Sequence, residues 1–172
     1  MRVRGYLLDT GIVSVWYDET KPKHSQVLAA VKNLAADTPL AISAITLGEI
    51  EYGLHIPGGA AHLDHDEYRR WIADKLPRVL DVTTSTARLY YGSLRARLFD
   101  KYAPNHKSKK VRAEQLVDPT TAEKLGIDEN DLWIAAQAVE HNLVLVTDDK
   151  MARIRKIVDE ELPLEFENWA AG

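Results

Sequence analysis

The sequence predicts a three-layer α/β domain, in which a short, mostly parallel central sheet is flanked by helices. Two observations predict it. Short apolar runs typical of buried strands alternate with longer segments whose apolar residues recur at helical spacing. The 172 residues also suit a single domain, and no internal repeat or low-complexity tract divides them. We expect one domain over 1–172, with a polar and basic insertion at about 101–127.

The elements follow from these patterns in chain order. Apolar runs predict strands at 6–8, 40–42, 79–82, 143–147 and, as an edge strand, 164–167. Apolar residues at helical spacing predict helices at 10–16, 27–34, 45–54, 68–76, 87–98, 132–139 and 151–158. Thr10 is placed to cap the first helix, and Pro57-Gly-Gly ends the third. Inside the insertion, 121–125 is predicted as a short helical piece.

Composition removes several classes of function. The absence of cysteine excludes disulfides and thiolate ligands. His62 and His65 have ligand-like spacing, but no third ligand accompanies them, so zinc is not predicted. No Gly-rich phosphate loop or serine nucleophile motif is present, which disfavours nucleotide hydrolysis and acyl transfer. No apolar run approaches the roughly 18–20 residues that span a bilayer, so we expect a cytoplasmic protein without membrane contact.

Charge is unevenly distributed along the chain. The formal net charge is −4, yet residues 88–112 contain a single acid, Asp100, among many basic side chains. These are Arg88, Arg95, Arg97, Lys101, Lys107, Lys109, Lys110 and Arg112. Such a stretch can attract phosphates to an otherwise acidic protein, or it can be a solvated helix face and loop.

Several carboxylates fall where strands are predicted to end. Asp9 follows the first strand, and Asp148 and Asp149 follow the strand that ends at Thr147. Ligand sites in parallel sheets form beyond the carboxyl ends of the strands. Asp9 can equally be a helix cap. Of Asp148 and Asp149 only one is expected to enter a site, because neighbouring residues leaving a strand point in different directions, and the Thr147 hydroxyl is placed to orient a carboxylate or a water.

Two further acids lie on predicted helices. Glu49 taken alone fits a solvated helix charge as well as a site residue. Asp131 falls in the first turn of its helix, where the helix dipole favours the ionised form. Asp128 and Asp131 have the spacing of a capping box, so we assign the cap to Asp128 and the site to Asp131. Clustered carboxylates require a counter-charge, and all-oxygen ligands suit Mg²⁺ or Mn²⁺, which activate water against phosphodiesters.

Four segments together resemble the motifs of PIN-domain nucleases, and among these the VapC-type toxins of bacterial toxin–antitoxin pairs. In chain order they are Tyr6-Leu-Leu-Asp-Thr-Gly-Ile-Val13, Ser43-Ala-Ile-Thr-Leu-Gly-Glu-Ile-Glu-Tyr-Gly53, Asn130-Asp-Leu-Trp-Ile-Ala-Ala136 and Leu145-Val-Thr-Asp-Asp149. Each segment alone is a weak signal. Their occurrence in family order over most of the chain is specific, and it implies a PIN-like fold.

The resemblance implies an acidic quartet of Asp9, Glu49, Asp131 and Asp149 that is both catalytic and metal-binding. Asp9 and Asp131 would hold the principal Mg²⁺ or Mn²⁺, and the other two would complete the cluster through water or a second ion. Asp149 fits the family's Thr-x-Asp pattern better than Asp148. The supporting residues would be Thr10, Asn130 and Thr147.

The function implied is that of a metal-dependent endoribonuclease, the toxin of a type II toxin–antitoxin system. Its substrate would be RNA, with tRNA as the analogous target. The residues that would contact RNA are Arg95, Lys107, Lys109 and Lys110. The partners implied are a cognate VapB-like antitoxin, which would fill the acidic site, and a second copy of the chain in a homodimer.

Two departures from the family pattern accompany this interpretation. Gly11 stands where the family often has a polar residue, commonly Asn, and the connection over 101–127 is longer than usual. Two alternatives remain open, namely an RNA-processing PIN nuclease without an antitoxin and a catalytically silent PIN-fold binding module. A phosphoacceptor receiver domain is disfavoured, because the acid pair follows a late strand rather than the first.

Overall fold

The computed structural model describes residues 4–105, 111–148, 151 and 153–171, and its centre is a five-stranded sheet. The strands are β1 (Tyr6–Leu8), β2 (Leu40–Ser43), β3 (Arg78–Leu80), β4 (Val144–Val146) and β5 (Glu165–Glu167). They lie in the order β3-β2-β1-β4-β5, and every pair is parallel. The predicted parallel sheet is confirmed, and β1 lies at its centre.

Six α-helices connect and cover the strands in the part of the chain that is described. They are α1 (Thr10–Tyr17), α2 (His24–Lys32), α3 (Ala44–His55), α4 (His65–Lys75), α5 (Gly92–Tyr102) and α6 (Glu129–Glu140). A π-helical turn, Thr86–Tyr91, runs directly into α5. Within the same described residues, none of these helices combines the length and the apolar character needed to cross a bilayer.

The sheet separates two hydrophobic cores, because successive side chains of a strand point to opposite faces. Leu7 packs in one core with residues of α5 and α6, and Leu8 packs in the other with residues of α1, α3 and α4. Both leucines are fully buried. Burying a leucine side chain contributes about 1.5–3 kcal/mol, so a strand buried on both faces holds two layers of helices to one sheet. The predicted three-layer architecture is confirmed.

Two helices begin immediately after strands, and side chains cap them there. The N-cap of α1 is Asp9 and not Thr10 as predicted, because the Asp9 side chain accepts from Thr10 N. Ser43 is the N-cap of α3, where its hydroxyl accepts from Ile45 N at 3.0 Å. Asp128 caps α6 as predicted: Asp131 N donates to Asp128 Oδ1 at 2.9 Å, and Asp128 N donates to Asp131 Oδ2 at 2.9 Å. The caps of α1 and α3 place the first turns of these two helices at the carboxyl edge of the sheet.

One chain of buried hydrogen bonds links that edge to α6. Gln137 is fully buried; its Nε2 donates to Leu80 O at 2.9 Å, and its Oε1 accepts from Ser43 Oγ at 2.5 Å. Replacing Gln137 by Met removes both bonds and leaves two buried polar groups unsatisfied, which costs about 1–3 kcal/mol each. We expect the free energy of unfolding, measured in urea, to fall by about 3 kcal/mol. Gln26→Met on α2 is the control, and equal stability of the two variants would contradict this role.

Two predicted elements are wrong. The segment 121–125 is not helical: Val117 and Lys124 form an antiparallel bridge, and Ala122 adopts a left-handed backbone with φ of 58°. The Asp118 side chain accepts from Thr120 N at 2.9 Å, and this local bond favours a turn over a helix.

The predicted helix at 151–158 is also wrong. The residues described there contain only a short 3₁₀ turn, Ile154–Lys156, in which Ile157 N donates to Ile154 O at 3.0 Å. Ile154 and Ile157 are both buried in the core that contains Leu7. Spacing of three between apolar residues suits a 3₁₀ turn as well as an α-helix, so the pattern alone did not separate the two.

Candidate functional site

Asp9 occupies the centre of the sheet's carboxyl edge. Its main chain is fixed to the neighbouring strand, since Asp9 N donates to Val146 O at 3.0 Å. Its side chain, in a residue only 7% exposed, accepts from Thr10 N at 2.6 Å and from Thr147 Oγ1 at 3.1 Å. The hydroxyl of Thr147 therefore orients a carboxylate, and that carboxylate belongs to Asp9.

Glu49 reaches the same place from α3. Its Oε2 accepts from Thr10 Oγ1, and its Oε1 accepts from Asn130 Nδ2 at 3.0 Å. Thr10 belongs to α1 and Asn130 to α6, so one glutamate joins the beginnings of two helices to the middle of a third. The carboxylate is thereby held in one orientation facing the start of α1.

Asp131 completes a group of three carboxylates. Its pKa is raised to about 7, chiefly by burial; the hydrogen bond from Asp128 N opposes the rise, and the negative charges of Asp128, Asp9 and Glu49 add to it. Burial likewise raises the pKa of Asp9 to about 6, although hydrogen bonds from Thr147 and Thr10 oppose it. The charge of Glu49 thus contributes to the raised pKa of both Asp9 and Asp131. The structure thus brings together Asp9, Glu49 and Asp131.

The fourth predicted acid, Asp149, lies outside the described residues, and so do Lys107, Lys109 and Lys110. Asp148, the residue before Asp149, is described, and it lies near the start of α1: a Cβ added at Gly11 would lie 3.6 Å from Asp148 Oδ2. Its charge also raises the pKa of Asp9. Asp148 Oδ1 is buried and has no hydrogen-bond partner among the described residues. The sequence signal for this approach is Gly11, which has no side chain to occupy the space.

Arg95, predicted to contact RNA, has protein partners in this structure. Its Nε donates to Glu129 Oε1 at 3.1 Å, and its Nη2 donates to Val111 O at 2.9 Å. The guanidinium also lies 4.4 Å from the centre of the Phe99 ring. Arg95 therefore joins α5 to the first residue of α6, directly before Asn130 and Asp131.

The donor set is the kind that a hard divalent cation prefers, because every candidate ligand is a carboxylate oxygen. Among the described residues, however, no three Asp, Glu or His side chains are arranged to hold a metal ion as they stand. Oxygens of Glu49 and Asp131 are engaged by Thr10, Asn130 and Asp128 N. Two observations fit a group that supplies positive charge: Asp148 Oδ1 is buried without a partner among the described residues, and the pKa values of Asp9 and Asp131 are both raised.

The fold and this group of carboxylates can be compared with known proteins. Several solved structures share the fold, among them the following three. VapBC2 from Rickettsia felis bound to a DNA fragment from their promoter is 24% identical, with a TM-score of 0.66 over 95% of this chain and 98% of that one. VapBC-1 from nontypeable Haemophilus influenzae is 21% identical, with a TM-score of 0.60 over 96% and 98%. A toxin–antitoxin complex from Klebsiella pneumoniae is 18% identical, with a TM-score of 0.54 over 90% and 97%.

No curated protein matches the sequence of this chain. The model of the PIN domain family does match it, over residues 6–157. This match includes β1 to β4, all six helices and the group of Asp9, Glu49 and Asp131. Because the match covers most of the chain, this protein belongs to the PIN domain family.

Proposed function

We propose that this protein is a VapC-type toxin, a Mg²⁺- or Mn²⁺-dependent endoribonuclease held in check by a VapB-like antitoxin. The observation that carries the proposal is the convergence of Asp9, Glu49 and Asp131 at the carboxyl edge of the sheet in a PIN domain. The fold it shares with VapBC toxin–antitoxin complexes supports the antitoxin partner.

In the proposed site, Asp9 and Asp131 hold the principal ion, and Glu49 and Asp149 complete the cluster. The ion would neutralise the carboxylates and lower the pKa of a water that attacks the phosphodiester. The supporting residues fix the ligands: Thr147 and the Thr10 amide orient Asp9. Thr10 Oγ1 and Asn130 orient Glu49, so no carboxylate of the described group needs to be ordered when substrate binds.

The remaining parts of the proposal concern the surroundings of the site. RNA, with tRNA as the target class, would be contacted by four basic side chains, Arg95, Lys107, Lys109 and Lys110. Arg95 would act from its place beside Glu129, at the first turn of α6. We also propose a single domain with an insertion at 101–127, a cytoplasmic homodimer, and inhibition by an antitoxin segment that fills the acidic site.

Incubation of the purified protein with total RNA tests this function, with new 5′ ends mapped by sequencing. We expect cleavage with Mg²⁺ or Mn²⁺, none with excess EDTA, and inhibition by the antitoxin encoded beside the gene. Undiminished cleavage in EDTA would contradict the metal mechanism. Absence of cleavage with either metal would contradict the nuclease function, and cleavage that no adjacent gene product inhibits would favour an RNA-processing PIN nuclease.

A further inference from the structure

A cavity of about 300 Å³ opens beside the carboxylate cluster and is lined at one end by Thr10 and Glu49. This volume lies at the lower end of the range for small-ligand sites, about 300–1,000 Å³. Its walls are mostly aliphatic and come from α3 and the segment after it, including Ile50, Leu54 and Ile56. A ligand in this cavity would therefore touch the candidate active site at one end.

Tyr68 lines the cavity with a hydroxyl that lacks a partner. The residue is 3% exposed, and its Oη has no hydrogen-bond partner among the described residues. Ser14 lies close by, but the pair does not meet the geometry of a hydrogen bond. The Tyr68 ring stacks on Tyr17 at 4.1 Å between centroids, which fixes its orientation. Because an unsatisfied buried hydroxyl costs about 1–3 kcal/mol, this one points to a ligand that hydrogen-bonds it.

A second pair of residues lines the same cavity. Asp18, only 5% exposed, accepts from Thr20 Oγ1 at 2.6 Å and pairs with His62 Nε2 at 2.9 Å. The hydrogen bond from Thr20 lowers the pKa of Asp18 to about 2, so this carboxylate stays ionised and holds the imidazole in place. Lys21 lies beside them on the cavity wall. The cavity thus combines apolar walls with a few fixed polar groups.

We propose that this cavity binds one unstacked nucleobase of the RNA substrate, next to the phosphodiester that is cleaved; the inference rests on the proposed function. A base has two apolar faces and a hydrogen-bonding edge, which match the aliphatic walls and the Tyr68 hydroxyl. Asp18 and Glu49, the acids that line the cavity, already accept hydrogen bonds. These bonds fix the orientation of both carboxylates, whose remaining lone pairs can accept from the amino group of a base.

Tyr68→Phe tests the proposal, because it removes only the hydroxyl. Tyr102→Phe is the matched control: Tyr102 is also buried, its Oη also lacks a partner in the described structure, and it lines a separate cavity whose walls include neither Thr10 nor Glu49. With a short single-stranded RNA that spans a mapped cleavage site, we expect Tyr68→Phe to raise KM about 5- to 10-fold, the equivalent of one hydrogen bond, with kcat unchanged. We expect Tyr102→Phe to leave KM unchanged.

An abasic nucleotide placed in turn on each side of the cleaved bond locates the base. At one position it should raise KM for the wild type and add little to the effect of Tyr68→Phe, because both changes remove the same contact. Equal KM values for the two tyrosine variants would overturn the proposal. So would a Tyr68→Phe variant that loses antitoxin affinity at an unchanged KM for RNA, which would assign the cavity to the protein partner.

Binding of single nucleotides separates this proposal from the nuclease function. We would titrate wild type and Tyr68→Phe with the four nucleoside 5′-monophosphates and follow the saturation-transfer NMR signal of the base protons. Base signals that fall in Tyr68→Phe and persist in Tyr102→Phe would support the cavity assignment, even if no RNA is cleaved. Equal signals in all three proteins, with RNA cleavage intact, would overturn the cavity assignment and leave the proposed function standing.

Discussion

Replacing Asp9 by Asn or Glu49 by Gln is expected to lower kcat/KM for RNA cleavage by about 10²–10³-fold, the size of loss found when one stabilising group of a preorganised site is removed. Both substitutions keep the size of the side chain and an acceptor oxygen, so Thr10 can still donate to either residue. The measurement is initial cleavage rate at fixed Mn²⁺, with the metal affinity determined separately by calorimetry.

Glu51→Gln is the matched control for Glu49→Gln. Glu51 lies on the same helix but pairs with Arg69, through two hydrogen bonds of 2.8 Å. We expect Glu51→Gln to retain the cleavage rate and the Mn²⁺ affinity of the wild type. If Asp9→Asn cleaves RNA as fast as Glu51→Gln with Mn²⁺ present, the proposed mechanism is wrong.

The metal-free protein is expected to lose stability as the pH rises from 5 to 8. Burial raises the pKa of Asp131 to about 7 and that of Asp9 to about 6, whereas an aspartate in an unfolded chain titrates near 3.9. Between these values the folded state binds more protons than the unfolded state, so its stability falls with rising pH. The contribution is fully present below about pH 4 and is lost through pH 6–7; at about 1.4 kcal/mol per pKa unit, several kcal/mol are involved.

Asp131→Asn removes the pH dependence that comes from Asp131, the residue with the larger rise in pKa. In EDTA at pH 8 we expect this variant to melt about 8 °C or more above the wild type, since about 3 pKa units correspond to about 4 kcal/mol and each kcal/mol to about 2–4 °C for a chain of this size. The variant keeps an acceptor for Asp128 N, so the helix cap survives. Saturating Mn²⁺ should stabilise the wild type and remove the advantage of the variant.

Asp18→Asn provides a control of opposite sign, because the hydrogen bond from Thr20 lowers the pKa of Asp18 to about 2. Its ionised form stabilises the folded state at every pH above about 4, so this variant should melt below the wild type at pH 8. An Asp131→Asn variant that melts lower than the wild type in EDTA would contradict the pKa assigned to Asp131.

Local patterns predicted most of the fold. The runs that form β1, β2 and β4 are short, apolar and buried on both faces, which is the pattern that distinguishes a parallel strand. The two failures, 121–125 and 151–158, lie where a side-chain hydrogen bond or a change of helix type decided the outcome. Neither a side-chain hydrogen bond nor a change of helix type can be read from the spacing of apolar residues.

The candidate site was less accessible to sequence reasoning. Asp9 and Asp131 follow from a strand end and a helix start, but a single glutamate on a helix resembles many others, so Glu49 depended on family motifs. The hydrogen bonds to Glu49 come from α1 and α6, and the approach of Asp148 to Gly11 joins distant segments. Such contacts depend on how the helices cross, and no local pattern encodes that. Asp149 and its assigned role stay a prediction.

In the cap of α6, the length of the Asp131 side chain determines where its carboxylate lies relative to the other acids. Capping boxes usually place Glu or Gln at the third helical position, whereas here that position is Asp131. Its Oδ2 accepts from Asp128 N and so belongs to the helix cap, and in the proposed site Oδ1 would be the oxygen available to the ion. A side chain longer by one methylene would still close the box but would carry its second oxygen to a different depth. The cap bond and the short aspartate side chain together therefore fix the position of this carboxylate relative to the start of α6.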